Sequence, residues 1–225
     1  MVTAVLFDLY ETLVTEAPVQ PTRASSLGPA LGLERDAYRR EWKARRPRIV
    51  VGALSFADAL RQISETLTAA ADEAAIQSIC EQRVNEKRVA LARIDDQITR
   101  LVTDLATAGI RLGVISNGFK EDVLPWPGCS LAPAFHCTVF SCDERVAKPD
   151  REIYRRALER VGATPEEAIY IGDGGDNELM GAEQAGLRAF RATWFVRHPT
   201  VTGTWPELAS PQDVLRNPNG TRTQS

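Results

Sequence analysis

Five short apolar runs punctuate the chain, and the first of them stops at an acid. Residues 2–7 end on Asp8; residues 110–115, Cys137–Phe140, residues 168–171 and Arg188–Ala192 follow. Runs this short, bounded by turn residues and rich in β-branched side chains, read as strands buried on both faces. Patterns of helical period alternate with them at residues 97–108, Arg151–Val161 and residues 178–185. Gly109, Gly162 and Gly186 stand where helices stop. Strand and helix in alternation predict a parallel sheet covered by helices, an α/β fold.

Residues 16–92 break that rhythm. They contain no convincing strand, and Pro18 and Pro21 mark a linker at their start. Residues 36–46, Phe56–Leu67 and residues 72–89 have the spacing of amphipathic helices. The expectation is an all-helical cap domain over 16–92, a lid joined to the sheet at about residues 15–24 and 91–96. The catalytic core is then 1–15 together with 93–215. Residues 216–225 are polar, rich in Asn, Thr and Gly, and read as a flexible tail.

Composition removes several classes of function. The formal net charge of −3 argues against nucleic acid as a partner, because such proteins are usually basic. Four cysteines form no C-x-x-C pair and there are only two histidines, which argues against a zinc site. Free, mostly buried thiols in a reducing compartment are expected instead. The first apolar run has no basic region before it, so it is not read as a signal peptide. No apolar stretch approaches the ~18 residues of a membrane span. The expectation is a cytoplasmic protein with no membrane partner.

In a doubly wound sheet, the loops after the carboxyl ends of the strands converge on one crevice. The first strand delivers Asp8, then Tyr10, Glu11 and Thr12. The second delivers Ser116, Asn117 and Gly118. Past the third come Lys148, Pro149 and Asp150, and the fourth delivers Asp173, Gly174, Gly175, Asp176, Asn177 and Glu178. A carboxylate is a usable nucleophile because it is ionised at neutral pH and forms an ester that water cleaves. A lysine is a point charge that offsets developing negative charge. Glycines let a loop bring its backbone close to a ligand, and a hard cation such as Mg²⁺ prefers carboxylate oxygens.

The segments FDLYETL, VISNG, VAKPDREIY and IGDGGDNELMGAEQAG resemble, in order, the four motifs of the haloacid dehalogenase-like superfamily. The resemblance spans about residues 2–14 and 94–192, and the helical insert sits where that family places its cap. It implies a Rossmann-like parallel sheet with a mobile cap. It implies Asp8 as nucleophile, Thr12 and Ser116 as holders of substrate oxygens, and Lys148 as the charge that steadies the reacting groups. Asn117 and Gly118 join the substrate contacts. Asp8, Asp173 and the backbone carbonyl of Tyr10 would bind Mg²⁺. Glu178 aligns with a position that is usually Asp, as a direct ligand or one contact removed.

One departure matters. Phosphatases of the family carry a second Asp two residues after the nucleophile, as general acid and base; here that residue is Tyr10. Such a group is worth about 10²–10⁴-fold in rate. The family's 2-haloacid dehalogenases do carry Tyr there and use no metal, but they have Ser where this chain has Asp173. Asp8, Asp173 and Glu178 against Lys148 leave two negative charges, which one Mg²⁺ cancels. Unneutralised acids would repel a carboxylate substrate. The expectation is therefore a Mg²⁺-dependent phosphatase or phosphotransferase acting on a small anionic, phosphorylated metabolite through an aspartyl-phosphate at Asp8. Metal-independent 2-haloacid dehalogenation and a catalytically weak binding or regulatory role stand as alternatives.

Glu11 is a candidate to fill part of the missing acid's role. Within the insert, seven basic residues crowd between Arg35 and Arg48, and Arg40 or Arg46 is a candidate to meet the substrate. The rest read as a solvated face interleaved with Glu34, Asp36 and Glu41. Trp42 reads as a core anchor of the lid, and Asp176 as a solvated loop acid.

Overall fold

The computed structural model describes residues 1–19, 21–67, 71–195 and 204–216. Strand β1 (Ala4–Phe7) is followed by helices α1 (Arg35–Val50), α2 (Phe56–Leu67), α3 (Glu73–Leu91) and α4 (Asp96–Thr107). Then come β2 (Arg111–Ser116), α5 (Lys120–Val123), β3 (Cys137–Phe140), α6 (Ser141–Glu144), α7 (Arg151–Val161), β4 (Ala168–Gly172), α8 (Glu178–Gln184), β5 (Arg188–Ala192), β6 (Glu207–Leu208) and α9 (Asp213–Arg216).

The sheet is parallel, in the order β3-β2-β1-β4-β5-β6. β1 lies at its centre, and strand order reverses between β1 and β4. Sheets of this kind open a crevice at such a reversal. β1 is apolar throughout because both of its faces are covered. Val5 and Phe7 join one buried cluster with Ile98, Leu101 and Val102 of α4. Ala4 and Leu6 join another with Ile153, Tyr154 and Leu158 of α7 and Leu179 of α8. Each fully buried Leu or Phe contributes about 1.5–3 kcal/mol, so polar substitution at Leu6 or Phe7 would unseat the strand that carries Asp8.

Helix starts and stops follow local chemistry. The side chain of Asp95 accepts from Gln97 N at the start of α4, and that of Asp150 accepts from Glu152 N at the start of α7. Gly109, Gly162 and Gly186 all have left-handed φ just past helix ends, as their positions predict.

One helix end and one edge strand stand apart from the sequence reading, beyond shifts of a residue or two elsewhere. α1 continues past Arg46 through Pro47 to Val50. Pro47 forfeits one helical hydrogen bond, but burial of Ile49 and Val50 holds the last turn in place. β6 is a two-residue edge strand, too short to give a periodic signal. Of residues 216–225, Arg216 closes α9, and residues 217–225 lie outside the described residues.

Helices α1, α2 and α3 surround a hydrophobic cluster of their own, built on Tyr38, Trp42, Phe56, Leu60 and Ile63. Trp42 is the anchor its position suggests, 4% exposed and stacked on Tyr38 at 6.2 Å. Phe119, from the loop after β2, completes this cluster. Its ring lies 5.7 Å from Trp42 and 5.5 Å from Phe56. The helical insert is thus pinned above the carboxyl end of β2.

Candidate active site

Asp8 follows the last residue of β1, and its backbone N–H donates to Ile171 O of β4 at 2.8 Å. This places it at the switch point, level with Gly172 and Asp173. One carboxylate oxygen from each of Asp8, Asp173 and Glu178 lies within 4.8 Å of the others. Lys148 Nζ sits among them, paired with both Asp8 Oδ1 and Glu178 Oε2. Asp8, Lys148 and Glu178 are each at most 7% exposed.

Burial and crowding set the electrostatics. Burial pushes the Asp8 carboxyl well above its ordinary pKa; Glu178 and Asp173 push the same way and Lys148 opposes them. Burial, then Glu178, raises Asp173 to about 6. For Lys148, burial disfavours the charge, but the carboxylates of Asp8 and Glu178 outweigh it and hold the ammonium above its usual pKa. The lysine is therefore held charged, with three carboxyl groups gathered around one ammonium.

Glu178 is fully occupied by protein. Its Oε2 accepts from Lys148 and from Tyr170 OH at 2.7 Å, and its Oε1 accepts from Gly174 N at 3.0 Å. Its backbone carbonyl accepts from Tyr154 OH at 2.7 Å. Gly172 makes room for it: a Cβ there would lie 2.1 Å from Glu178 Oε1. Asp173 is freer, with one carboxylate oxygen accepting from Gly175 N at 3.0 Å. Among the described residues, the Tyr10 carbonyl oxygen accepts no hydrogen bond.

The hydroxyl residues behave differently from each other. Thr12 is fully buried, and its Oγ1 has no hydrogen-bond partner. A buried orphan hydroxyl on the nucleophile's own loop is costly unless a ligand oxygen completes it. Ser116 ends β2 and is 2% exposed.

Asn117 and Gly118 are engaged by protein. Lys148 N donates to Asn117 Oδ1 at 2.8 Å, and Asn117 Nδ2 donates to Lys148 O at 2.9 Å. Asn117 Nδ2 also reaches Asp176 Oδ2 at 3.0 Å. Gly118 N donates to Ser141 Oγ at 3.1 Å, and Ser141 Oγ donates to Val50 O at 2.7 Å. Both residues still line the cleft.

Tyr10 and Glu11 turn away from acid–base work. Tyr10 OH donates to Asp122 O at 2.5 Å. Burial, then the nearby Asp122 and Glu16, holds its phenol far above the neutral range. Lys87 Nζ lies over the Tyr10 ring at 4.1 Å and is paired with Glu16. Glu11 adopts φ 56°, and its carboxylate accepts from Thr15 Oγ1 at 3.1 Å and Glu16 N at 2.7 Å. Those bonds tie its carboxylate to the strained turn, which corrects the idea of Glu11 as a stand-in acid.

A cleft of about 570 Å³ opens between this centre and the insert, reaching the site at Tyr10, Asn117 and Gly118. Arg46 lines it; Arg40 is exposed and lies outside it, while Arg39 and Lys43 face in. Asp176 is no lone loop acid. Its Oδ1 lies 3.5 Å from Arg46 Nη2, so it links the insert to Asn117. A larger depression of about 650 Å³ lies near the amino ends of the strands, lined by Leu158, Pro165 and Ala185. The smaller one is the cleft that reaches the loops of the acidic centre, at Tyr10 two residues past Asp8 and at Asn117, which grips the Lys148 backbone.

Sequence reasoning missed Tyr154, Tyr170 and Ser141, which read as ordinary interior positions. It also missed Arg83, Lys87 and Asp122, whose mutual pairing depends on tertiary contact. Arg83 Nη2 lies 2.7 Å from Asp122 Oδ1, and its guanidinium lies 4.7 Å from the Phe119 ring.

An acid–lysine–acid centre at the switch point of a parallel sheet, roofed by a helical insert, defines the class to which this protein conforms. The haloacid dehalogenase-like hydrolase family matches residues 2–186, and the chain belongs to that family. Among curated proteins it is similar to glyceraldehyde 3-phosphate phosphatase of Methanothermobacter thermautotrophicus. The two are 32% identical over 105 residues, 45% of this chain and 46% of the relative. It is also similar to pyrophosphatase PpaX of Bacillus velezensis, 29% identical over 114 residues, 50% of this chain and 52% of the relative. The chain thus matches about half the length of these relatives. A solved phosphatase of the family from Thermococcus onnurineus superposes with TM-score 0.67 at 20% identity, covering 98% of this chain and 100% of that one. A 2-haloacid dehalogenase from Pseudomonas syringae pv. Tomato DC3000 gives 0.66 at 23% identity, covering 96% and 97%. These two likenesses bear on the fold alone. Among the described residues, no helix is long and apolar enough to cross a membrane.

Proposed function

We propose that the protein is a Mg²⁺-dependent phosphatase or phosphotransferase acting on a small phosphorylated metabolite, with Asp8 as nucleophile. The observation that carries this reading is the meeting of Asp8 and Asp173 at 4.8 Å or less, in a cluster of three carboxyl groups around the one ammonium of Lys148. A cluster of hard oxygen donors fits a hard divalent cation. Asp8, Asp173 and the free Tyr10 carbonyl would hold it, while Glu178, saturated by Lys148, Tyr170 and Gly174, holds the lysine. A bound Mg²⁺ supplies positive charge against which the transferring group's oxygens develop theirs.

The chain's own residues do the rest. An Asp8 oxygen attacks phosphorus, the bond to the leaving oxygen breaks, and that oxygen takes a proton from water in the cleft, because Tyr10 is held in its own hydrogen bond. Water then attacks the aspartyl-phosphate, releasing phosphate and restoring Asp8. Lys148 stays charged throughout, and the orphan Thr12 hydroxyl supplies a donor for a substrate oxygen, with Ser116 at the end of β2 as a second. Helices α1–α3 act as the cap over core residues 1–15 and 93–215 and restrict water. The phosphatases among the curated relatives support the same reading. The four free cysteines fit a reducing compartment such as the cytoplasm.

The test is hydrolysis of p-nitrophenyl phosphate and a panel of sugar and acid phosphates with Mg²⁺. Activity lost with chelator and with Asp8→Asn is expected; activity indifferent to both sinks the reading. Tyr10 favours a second reading, halide displacement from a 2-haloacid, in which Asp8 attacks carbon. Chloride release from 2-chloropropionate that resists chelator would establish it. A third role, binding without turnover, falls once Asp8-dependent turnover is seen.

A further inference from the structure

Arg39, Lys43 and Arg46 recur at helical spacing along α1, and all three line the cleft beside the buried Trp42. That spacing puts them on one face of the helix. Arg35, Arg40, Arg45 and Arg48 of the same basic segment lie outside the cleft. The cleft wall carries six basic residues against two acidic ones, in a chain whose overall charge is −3.

The two acids are accounted for. Asp122 pairs with Arg83, and Glu16 with Lys87. Those pairs leave Arg23 and the α1 stripe as the surplus. Arg46 leans on Asp176 at 3.5 Å, and Arg39 has only a 3.9 Å contact with exposed Asp36. Neither Arg23 nor Lys43 has an ion-pair partner among the described residues. Clefts lined by one sign of charge focus field and concentrate ligands of the other sign.

We infer that this stripe is a second anion subsite: the substrate carries, besides the group presented to Asp8, a further phosphate or carboxylate bound by Lys43 and Arg39. The identity of the first group rests on the phosphatase reading; the subsite itself rests on the cleft. Arg46 marks the catalytic end through Asp176. At 1.5 Å per residue, Lys43 lies about 4.5 Å and Arg39 about 10 Å further along the helix axis. That reach fits a phosphate ester of a few carbons with an acidic tail, not an extended chain.

Binding to the full-length Asp8→Asn protein tests this without turnover. Calorimetry compares two three-carbon probes, glycerol 3-phosphate with a hydroxyl tail and 3-phosphoglycerate with a carboxylate tail. The acidic tail is expected to tighten binding at least about tenfold, in line with a charge-assisted contact. Lys43→Gln and Arg39→Gln, each added to that background, should shrink the ratio toward one. Arg48→Gln removes the same charge from the same helix outside the cleft and should preserve it. A ratio near one in the Asp8→Asn protein, or an equal fall with Arg48→Gln, overturns the subsite. If the ratio holds but the unsubstituted protein hydrolyses no phosphate ester, the phosphatase reading falls and the subsite stands. If esters are hydrolysed and the ratio is one, the reverse is true.

Discussion

Asn117 grips the Lys148 residue from both sides, accepting from its N–H at 2.8 Å and donating to its carbonyl at 2.9 Å. The loop after β2 thereby fixes where the ammonium between Asp8 and Glu178 stands. Asn117→Ala removes both bonds, and the one to Asp176, while leaving every charge in place. Turnover should fall about 10–100-fold, since a displacement near 1 Å of a group at the reacting centre costs on that order. Steady-state kinetics on p-nitrophenyl phosphate reads this out; an unchanged kcat would show that Lys148 is positioned by its ion pairs alone.

Asp173 and Glu178 should separate in a metal titration. Asp173→Asn removes a carboxylate with room for a cation and should abolish measurable Mg²⁺ binding. Glu178→Gln disturbs the holder of Lys148 and should weaken binding only about tenfold, as outer contacts of metal sites do. Isothermal titration of both variants decides it. Equal losses would make Glu178 a direct ligand.

The acidic centre predicts an unusual pH dependence for the metal-free protein. Asp173 rises from its usual 3.8 to about 6 on folding, so between those values the folded state binds more protons than the unfolded one. Stability then falls as pH rises through this window, and the loss is complete above about 6. Asp8 is shifted in the same direction. Asp173→Asn lacks its share of this loss, so its Tm advantage over the unsubstituted protein should grow between about pH 4.5 and 7. Added Mg²⁺ should raise the Tm of the unsubstituted protein more at high pH than at low. A Tm difference that stays flat with pH would contradict the assignment.

Glu11→Gln should leave kcat within about twofold, because the Glu11 carboxylate faces Thr15 and the Glu16 N–H rather than the cleft. Its cost belongs to stability, about 1–2 kcal/mol for weakening bonds to a charged group. Chemical denaturation and a pH–rate profile together distinguish the two effects. A lost limb in that profile would return Glu11 to the chemistry.

The strand ends were legible in sequence because each apolar run stops where a polar residue begins. Asp8 and Asp173 lie at the ends of such runs, and their convergence follows from parallel topology. Tyr170 and Tyr154 were not legible. Each occupies an apolar position in a strand or helix, and only packing shows that their hydroxyls reach Glu178. Arg83 and Asp122 are 39 residues apart, so no local spacing announces their pairing. On α1 the density of arginines was visible, but not its rotation. Arg39, Lys43 and Arg46 were chosen over Arg40 by the way Trp42 packs on Tyr38 and Phe56.

Phe119→Ala should cost about 3–5 kcal/mol, as for other buried aromatic truncations. Differential scanning calorimetry would show it, and a shift below about 1 kcal/mol would mean that the helical insert closes its own core.

Because Phe119 sits on the loop that leaves β2 yet fills a hole among the helices, the upper layer is tied to the sheet through that ring. Any movement that widens the entrance either pulls that ring from its socket or drags the Asn117–Gly118 turn along with it. One short loop thus carries both the ring that anchors the helices and the amide that holds the Lys148 backbone.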